Sequence, residues 1–522
     1  MEMEVAWFLL PLLALFIPLL LARLLTHHAA GEPKLPPGPA AVPGLGSLLL
    51  LRNSLVDAEH LLRRLVARHG PVVSLRVGSR LSIFVADRRV AHALLVERGA
   101  ALADRPDLVV NSGCTVSGAS YGPAWRLLRR NLVSETLHPS RARLFAPARA
   151  WARRLLLDKL RERQSGPHGG VMVMDAFRHA MFFLLALMCF GQRLDEAAVR
   201  AVGAAQRDWL MFAARKTSVF AFFPAITKRL FRGRLKTALA LRQRQKELFM
   251  PMIDARRERK IKRVATEEGT TLEHSYVDTL LDIKLPGKEE SSRALTDDEM
   301  VSLCSEFLNA GTDTTSTALE WIMAELTKNP RVQEKLYNEI TKAQQQRGDG
   351  DGDQEEVSEE ETHGMPYLKA VILEGLRKHP PGHFVLPHRA AEDMEVGGYL
   401  IPKGASVNFM VAEMGRDERE WERPMEFVPE RFLPGGDGEG VDVTGSREIR
   451  MMPFGVGRRI CAGLGVAMLH LEYLVANLIK ELEWQEVAGD EVDLAEKPEF
   501  TVVMAKPLRT SRLLVAEPAC WN

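Results

Sequence analysis

The stretch that most constrains this chain is Phe454-Gly455-Val456-Gly457-Arg458-Arg459-Ile460-Cys461-Ala462-Gly463. It joins a glycine-loosened loop and a lone cysteine to an apolar run that predicts a helix from Cys461 to about Glu481. N–H groups at a helix start, with the positive end of its dipole, favour a thiolate over a thiol. Glycines at 455, 457 and 463 let backbone approach a large flat ligand, because no Cβ stands in the way. Arg459 lies two residues before the sulfur and can reach an acidic group on that ligand. Together these meet the requirements of an axial cysteine on haem iron. The bland alternative is a buried free cysteine at a helix start, packed as a small hydrophobe.

With 522 residues the chain can bury a large core, and length alone suggests about three domains. Lys and Arg total 69 against 68 for Asp and Glu, so a bulk basic surface for nucleic acid is not indicated. The five cysteines, at 114, 189, 304, 461 and 520, form no Cys-x-x-Cys. That argues against zinc ribbons, covalently attached haem and a disulfide framework, and fits a reducing, cytosol-facing location. From Val5 to Ala22 runs an uncharged, Leu-rich stretch of eighteen residues, near the lower limit for a bilayer-spanning helix. A cleaved secretory signal would have a shorter apolar core and a basic start, whereas Glu2 and Glu4 precede this run and Arg23 follows it. The reading is an uncleaved anchor over residues 1–25 with the bulk of the chain in the cytoplasm. A Pro-rich hinge over 26–45 follows, stiffened by Lys34-Leu35-Pro36-Pro37-Gly38-Pro39.

Further on, Asp57 to His69 reads as an amphipathic helix, and Val72–Val77 with Leu81–Ala86 as a hairpin around Gly78-Ser79. Asp87 caps another helix through Arg98, and Asp104 to Tyr121 reads as a long functional loop. Trp125 and Arg129 share one face of a helix that follows Gly122-Pro123. Residues 150–295 are mostly helical by period. A helix from about Thr296 to Thr327 carries Ala310-Gly311-Thr312-Asp313-Thr314-Thr315, with Leu303, Phe307, Ala310 and Thr314 on one stripe. Its small residues can lie against a flat cofactor, with Asp313 and Thr314 as an acid and an alcohol beside it. The competing reading is a Thr-rich turn whose hydroxyls bond back to the i−4 carbonyl. Glu374 and Arg377 sit three apart on a helix from Met365 to Lys378, and Arg431 can complete a buried triad with them. Pro387-His388-Arg389 offers a contact to an acidic group through one of its two basic side chains, and Glu499 to Val515 reads as a terminal hairpin turning near Pro507. No Gly-rich dinucleotide fingerprint follows a strand anywhere, so electrons for redox chemistry must come from another protein.

The spacing Phe454-x-x-Gly457-x-Arg459-x-Cys461-x-Gly463 resembles the haem-binding signature of the cytochrome P450 superfamily. The hinge, the Ala-Gly-Thr-Asp-Thr-Thr segment and Pro429-Glu430-Arg431-Phe432 resemble those of plant microsomal members, with family 89 the nearest guess. The resemblance implies a mainly α fold, a triangular helical prism with a small β-rich region, forming one haem-thiolate monooxygenase domain over 46–522 behind an N-terminal transmembrane helix. It implies haem b (iron protoporphyrin IX) with Cys461 as the metal ligand. Phe454, Arg459, Gly463, Ala310, Gly311, Trp125, Arg129, Arg105 and His388 would contact the cofactor, Arg389 being the alternative to His388. Asp313 and Thr314 would be the catalytic proton relay. It further implies a partly apolar small-molecule substrate, and NADPH–cytochrome P450 reductase docking where Arg126, Arg130 and Arg458 collect positive charge. The expected location is the endoplasmic reticulum membrane. A peroxide-rearranging relative and a non-enzymatic haem ligand-binding protein are the rival readings.

Overall fold

The computed structural model describes residues 34–39, 59–77, 80–106, 114–164, 171–221, 224–262, 274–286, 291–346 and 356–510. The Val5–Ala22 run and the Gly78-Ser79 turn lie outside these residues, as does the end of the expected terminal hairpin beyond 510. Among the described residues no helix is long and apolar enough to cross a membrane. Of the hinge, residues 34–39 pack against strands of two sheets: the Pro37 carbonyl accepts from the Ser74 N–H at 2.8 Å and the Lys34 carbonyl from the Leu400 N–H at 3.0 Å.

Helix α1 (Glu59–His69) leads into β1 (Val72–Val77) and β2 (Arg80–Val85). Asp87 then caps α2 (Arg88–His92) through its carboxylate, which accepts the Arg89 and Val90 N–H groups. Nine longer helices carry most of the remaining described chain. They are α3 (Pro123–Asn131), α4 (Ala146–Gln164), α5 (Met174–Phe190), α6 (Glu196–Lys216), α7 (Arg232–Lys262), α8 (Asp297–Lys328), α9 (Pro330–Gln345), α10 (Pro366–Lys378) and α11 (Leu464–Glu481). The main sheet runs β1-β2-β4-β3, with β3 at His388–Arg389 and β4 at Ser406–Phe409. Strand β4 lies parallel to β2 and antiparallel to β3. The mainly helical class with a small β-rich region is therefore observed.

Helix α8 is the spine of the molecule. It opens on a reciprocal capping box, Thr296 to the Glu299 N–H and Glu299 back to Thr296. Beyond that first turn it is buried on nearly all sides, the mark of a helix enclosed by other helices rather than lying on a surface. It packs closely against α5, so closely that a Cβ at Gly311 would come within 2.7 Å of Leu185 Cδ1.

Two local expectations change. The helix after the cysteine begins at Leu464, with Gly463 as its cap residue, three positions later than the sequence period suggests. Gly455 and Gly457 at φ +66° and +75° hold the preceding loop in left-handed turns, leaving Cys461 at the loop's end rather than on the helix. The terminal hairpin also closes earlier: β5 (Glu496–Pro498) pairs with β6 (Val502–Met504) around a turn at Glu499–Thr501. Pro507 instead lies in the link to Arg509–Thr510, which pairs with Val171–Met172. The buried run Val502–Met504 supplies the return strand before Pro507 is reached.

The predicted triad forms. Glu374 and Arg377 have completely buried side chains and make two hydrogen bonds, at 2.6 and 2.8 Å. Arg431 joins at 3.2 Å, and Arg377 also donates to the carbonyls of Gly415 and Pro424. Arg377→Ala should destabilise the fold by about 3–5 kcal/mol, because it strands a buried carboxylate. Thermal unfolding of the purified variant measures this, and a loss below about 1 kcal/mol would contradict it. At the cysteine loop, a Cβ on Gly457 would meet the Leu95 carbonyl oxygen at 2.1 Å on a backbone that already disfavours side chains. Gly457→Ala should therefore cost at least about 2 kcal/mol, while Gly465→Ala, which meets nothing within 4 Å, should be tolerated in the same melt.

Candidate active site

The cysteine loop is tied at both ends. The Cys461 N–H donates to the Phe454 carbonyl at 2.8 Å, closing the loop on itself. From α3, Arg129 donates to the Ile460 carbonyl at 2.6 Å, which brings a guanidinium beside the sulfur. Cys461 is solvent-accessible although Val456 in the same loop is buried. Burial nevertheless raises its thiol above the ordinary range, and the Gly463 N–H and Arg129 only partly oppose that rise. Cys461 stands before α11 and receives one N–H, that of Gly463.

On α8, Ala310 is exposed and Gly311 and Thr314 are half-buried, in a helix otherwise enclosed. The helix therefore opens onto accessible space at that turn. The Thr314 hydroxyl donates to the Ala310 carbonyl at 2.6 Å, the back-bonded arrangement weighed as the bland alternative. Its oxygen keeps lone pairs and so serves as an acceptor. Asp313 is buried and turned toward two arginines, Arg207 of α6 at 2.9 Å and Arg178 of α5 at 3.4 Å. Arg207 in turn reaches Glu499 at the hairpin turn, at 3.2 Å.

A third group of residues gathers around residues 103–105 and 116–119. Arg459 donates to the carbonyls of Ala103, Val116 and Ala119 at 2.7, 3.1 and 2.6 Å. Arg105, almost fully buried, donates to the carbonyls of Ser117, Leu386 and Pro387. Burial, with Arg459 nearby, lowers Arg105 to about 9, and burial lowers Arg459 to about 10. Burial and the neighbouring Arg105 hold His388 neutral, lowered to about 3. Arg389 is committed to Asp104, at 3.0 Å through Nε, so of the two basic side chains His388 is the one set among the site's arginines. Trp125 gives its single N–H to the Val116 carbonyl at 2.9 Å.

Taken against the haem implied by the sequence, these residues fit. Cys461 offers a soft sulfur, and Ala310-Gly311 a helix strip without bulky side chains. Arg105, Arg129 and Arg459 retain N–H donors beyond those used on carbonyls, and buried guanidinium groups without full compensation favour an acidic edge. His388 gives its Nδ1–H to the Leu102 carbonyl at 2.7 Å, so its Nε2 must gain a proton before it can hold a carboxylate. Trp125 acts through Val116. Gly311 has a second purpose in the α5 contact, and Phe454 and Gly463 shape the loop, Gly463 standing where a Cβ would lie 3.9 Å from Sγ. Arg126 and Arg458 cluster on Tyr121, with Arg130 exposed nearby on α3. The sequence reading missed Arg178 and Arg207, which no local spacing links to Asp313. It also missed Glu306, whose signal was available: a carboxylate one helical turn before Ala310 on a buried helix.

The family model described as cytochrome P450 matches residues 36–511. Cytochrome P450 89A9 of Arabidopsis thaliana is 44% identical over 490 residues, covering 92% of this chain and 93% of that one. Ent-cassadiene C11-alpha-hydroxylase 1 of Oryza sativa subsp. japonica is 31% identical, covering 99% of this chain and 100% of that one. A zebra fish cytochrome P450 solved with progesterone shares the fold at TM-score 0.69 and 22% identity, covering 88% of this chain and 99% of that one. The plant relatives agree with the plant-type motifs. This chain belongs to the cytochrome P450 family of haem-iron monooxygenases.

Proposed function

We propose that the chain is a plant haem-thiolate monooxygenase. It inserts one oxygen atom from O2 into a small, partly apolar organic substrate, with electrons from NADPH–cytochrome P450 reductase. The observation that carries this reading is Cys461 at the end of its glycine-shaped loop, with the Gly463 N–H turned to the sulfur and the Arg129 guanidinium, bonded to the Ile460 carbonyl, beside it. Haem b, held by that sulfur, supplies the oxygen-activating and bond-cleaving chemistry. Arg105, Arg129 and Arg459 would hold its acidic edge, with the neutral His388 beside them, while Ala310 and Gly311 leave room for its face.

The chain's own residues then manage protons and position. Thr314, its hydrogen engaged by Ala310, accepts a hydrogen bond from a water or a reacting group and orients it. Asp313 relays protons from solvent behind it. Its link to Arg207, which is partly exposed, connects the buried carboxylate with solvent. The partners follow from the same reading. Arg126, Arg130 and Arg458 form a basic face near the cysteine loop for an acidic reductase. Residues 1–25 anchor the chain in the endoplasmic reticulum membrane, 26–45 form the hinge whose 34–39 segment rests on strands of two sheets, and 46–522 form the catalytic domain. The presence of both Asp313 and Thr314 favours this reading over a peroxide-rearranging enzyme or a haem ligand sensor, neither of which needs a relay.

The reduced carbon monoxide complex tests the central claim. Wild-type protein should show a thiolate-ligated haem spectrum and Cys461→Ser should lose it; a thiolate spectrum in that variant would remove Cys461 as ligand. Thr314→Ala should keep the spectrum. With reductase, NADPH and a substrate that shifts the haem absorption, it should lose product on the order of 10²-fold and release hydrogen peroxide instead. Tightly coupled turnover in Thr314→Ala would take that residue out of the relay.

A further inference from the structure

Glu306 lies on α8 one turn before Ala310, and its carboxylate turns toward the 114–119 segment. It accepts the Val116 N–H at 2.7 Å and the Ser117 N–H at 2.6 Å, and also the Ser117 hydroxyl. Among the described residues it forms no ion pair, and burial raises its pKa despite those bonds. This half-buried carboxylate is held against the loop by three donors.

The opposite edge of the same segment is held as firmly. The Val116 carbonyl accepts from Trp125 and Arg459, that of Ser117 from Arg105, and that of Ala119 from Arg459. The N–H edge of Val116–Ser117 is therefore fixed to α8, and its C=O edge to the cations at the cofactor side. Val116 and Cys114 belong to the same buried cluster as Phe307, the residue after Glu306. Moving the carboxylate would release the N–H edge of this segment from α8.

We propose that Glu306 is a positioning residue that fixes the Thr115–Ser117 segment as a wall of the substrate site and thereby limits the size of molecule admitted. Its functional half rests on the monooxygenase reading above. The carboxylate accepts all three of these hydrogen bonds and donates none. Glutamine would turn an N–H2 group against an N–H donor.

Glu306→Gln tests the proposal in the full-length holoprotein with two separate measurements. Hydrogen exchange of the peptide covering Val116 and Ser117 should accelerate on the order of tenfold, with α5 and α11 unchanged. Binding of 4-phenylimidazole, which must contact the pocket wall, should weaken about tenfold, while imidazole, small enough to avoid it, should bind as in wild type. Unchanged exchange at that peptide overturns the latch. Faster exchange with both azole affinities unchanged overturns its role in shaping the site. Should Glu306→Gln not accumulate folded, Ser117→Ala removes only the hydroxyl donor, and a failure to accelerate the same peptide overturns the proposal. If wild-type protein gives no azole spectral shift, the haem reading fails while the exchange measurement still decides the latch.

Discussion

A guanidinium removed from water governs how the cysteine loop is carried. Arg377 has no exposed side-chain surface, so its charge must be met inside the protein, and Glu374 meets it with two bonds from the same helix. Its other donors reach the carbonyls of Gly415 and Pro424, which fixes the irregular segment that follows β4 against α10. Trp421 of that segment lies against both Arg377 and Arg450, at 5.3 and 4.6 Å to the ring centre. Arg450 and Met451 lead directly to Phe454, and Met451 shares a buried cluster with Trp421 and Leu373. A buried ion pair of this kind adds little net stability over an apolar substitute. What it does here is allow one arrangement of a long stretch that has almost no regular hydrogen bonding of its own.

The same accounting of buried charge explains the cation cluster. Arg105, Arg459 and Arg129 all have lowered proton affinities, each chiefly from burial, and their hydrogen bonds go to carbonyls rather than carboxylates. Neutral carbonyls satisfy the N–H groups without cancelling the charge. His388 responds by staying neutral, and Arg389 is drawn off by Asp104. A region with this field is prepared for an anion, and the acidic edge of haem is an anion of the right character. The carboxylate of Glu306 accepts its hydrogen bonds from the loop, while its charge still acts on Arg105 and Arg459 and offsets part of their positive field.

How far the sequence led follows from how local each constraint is. The cysteine loop, the Glu374–Arg377 pair and the spine helix were legible because their residues are neighbours in sequence or repeat at helical spacing. Glu374 and Arg377 announce themselves three apart, whereas the Thr296–Glu299 cap was not read. Cys461 was correctly placed in a turn of glycines, yet its helix was started too early, since period alone cannot see that φ at Gly455 and Gly457 is positive. The hairpin was misplaced because Pro507 is a strong turn signal, whereas the actual turn at Glu499–Thr501 carries no Gly, Asn or Asp. Partners from distant helices were out of reach altogether. Nothing near Asp313 in the sequence points to Arg178 or Arg207, and nothing near Trp125 points to Val116 as the acceptor of its N–H.

Helix α8 shows why the cofactor segment can be built from such poor helix formers. Gly311 costs up to about 1 kcal/mol against alanine and the threonines beside it lose side-chain freedom. The capping box at Thr296 and Glu299 returns part of that at one end, worth about 1 kcal/mol for such a cap. Burial on the flanks of the segment, from Leu303 and Leu308 to Leu319 and Ile322, fixes the helix on either side of it. Between those flanks the residues are released from the task of holding the helix together. Gly311 can admit Leu185, Ala310 can remain bare, Asp313 can turn to its arginines, and Thr314 can bond backward while offering its oxygen. The chemistry is placed where packing has already made the helix certain, so that a locally weak sequence can still hold its atoms in one position.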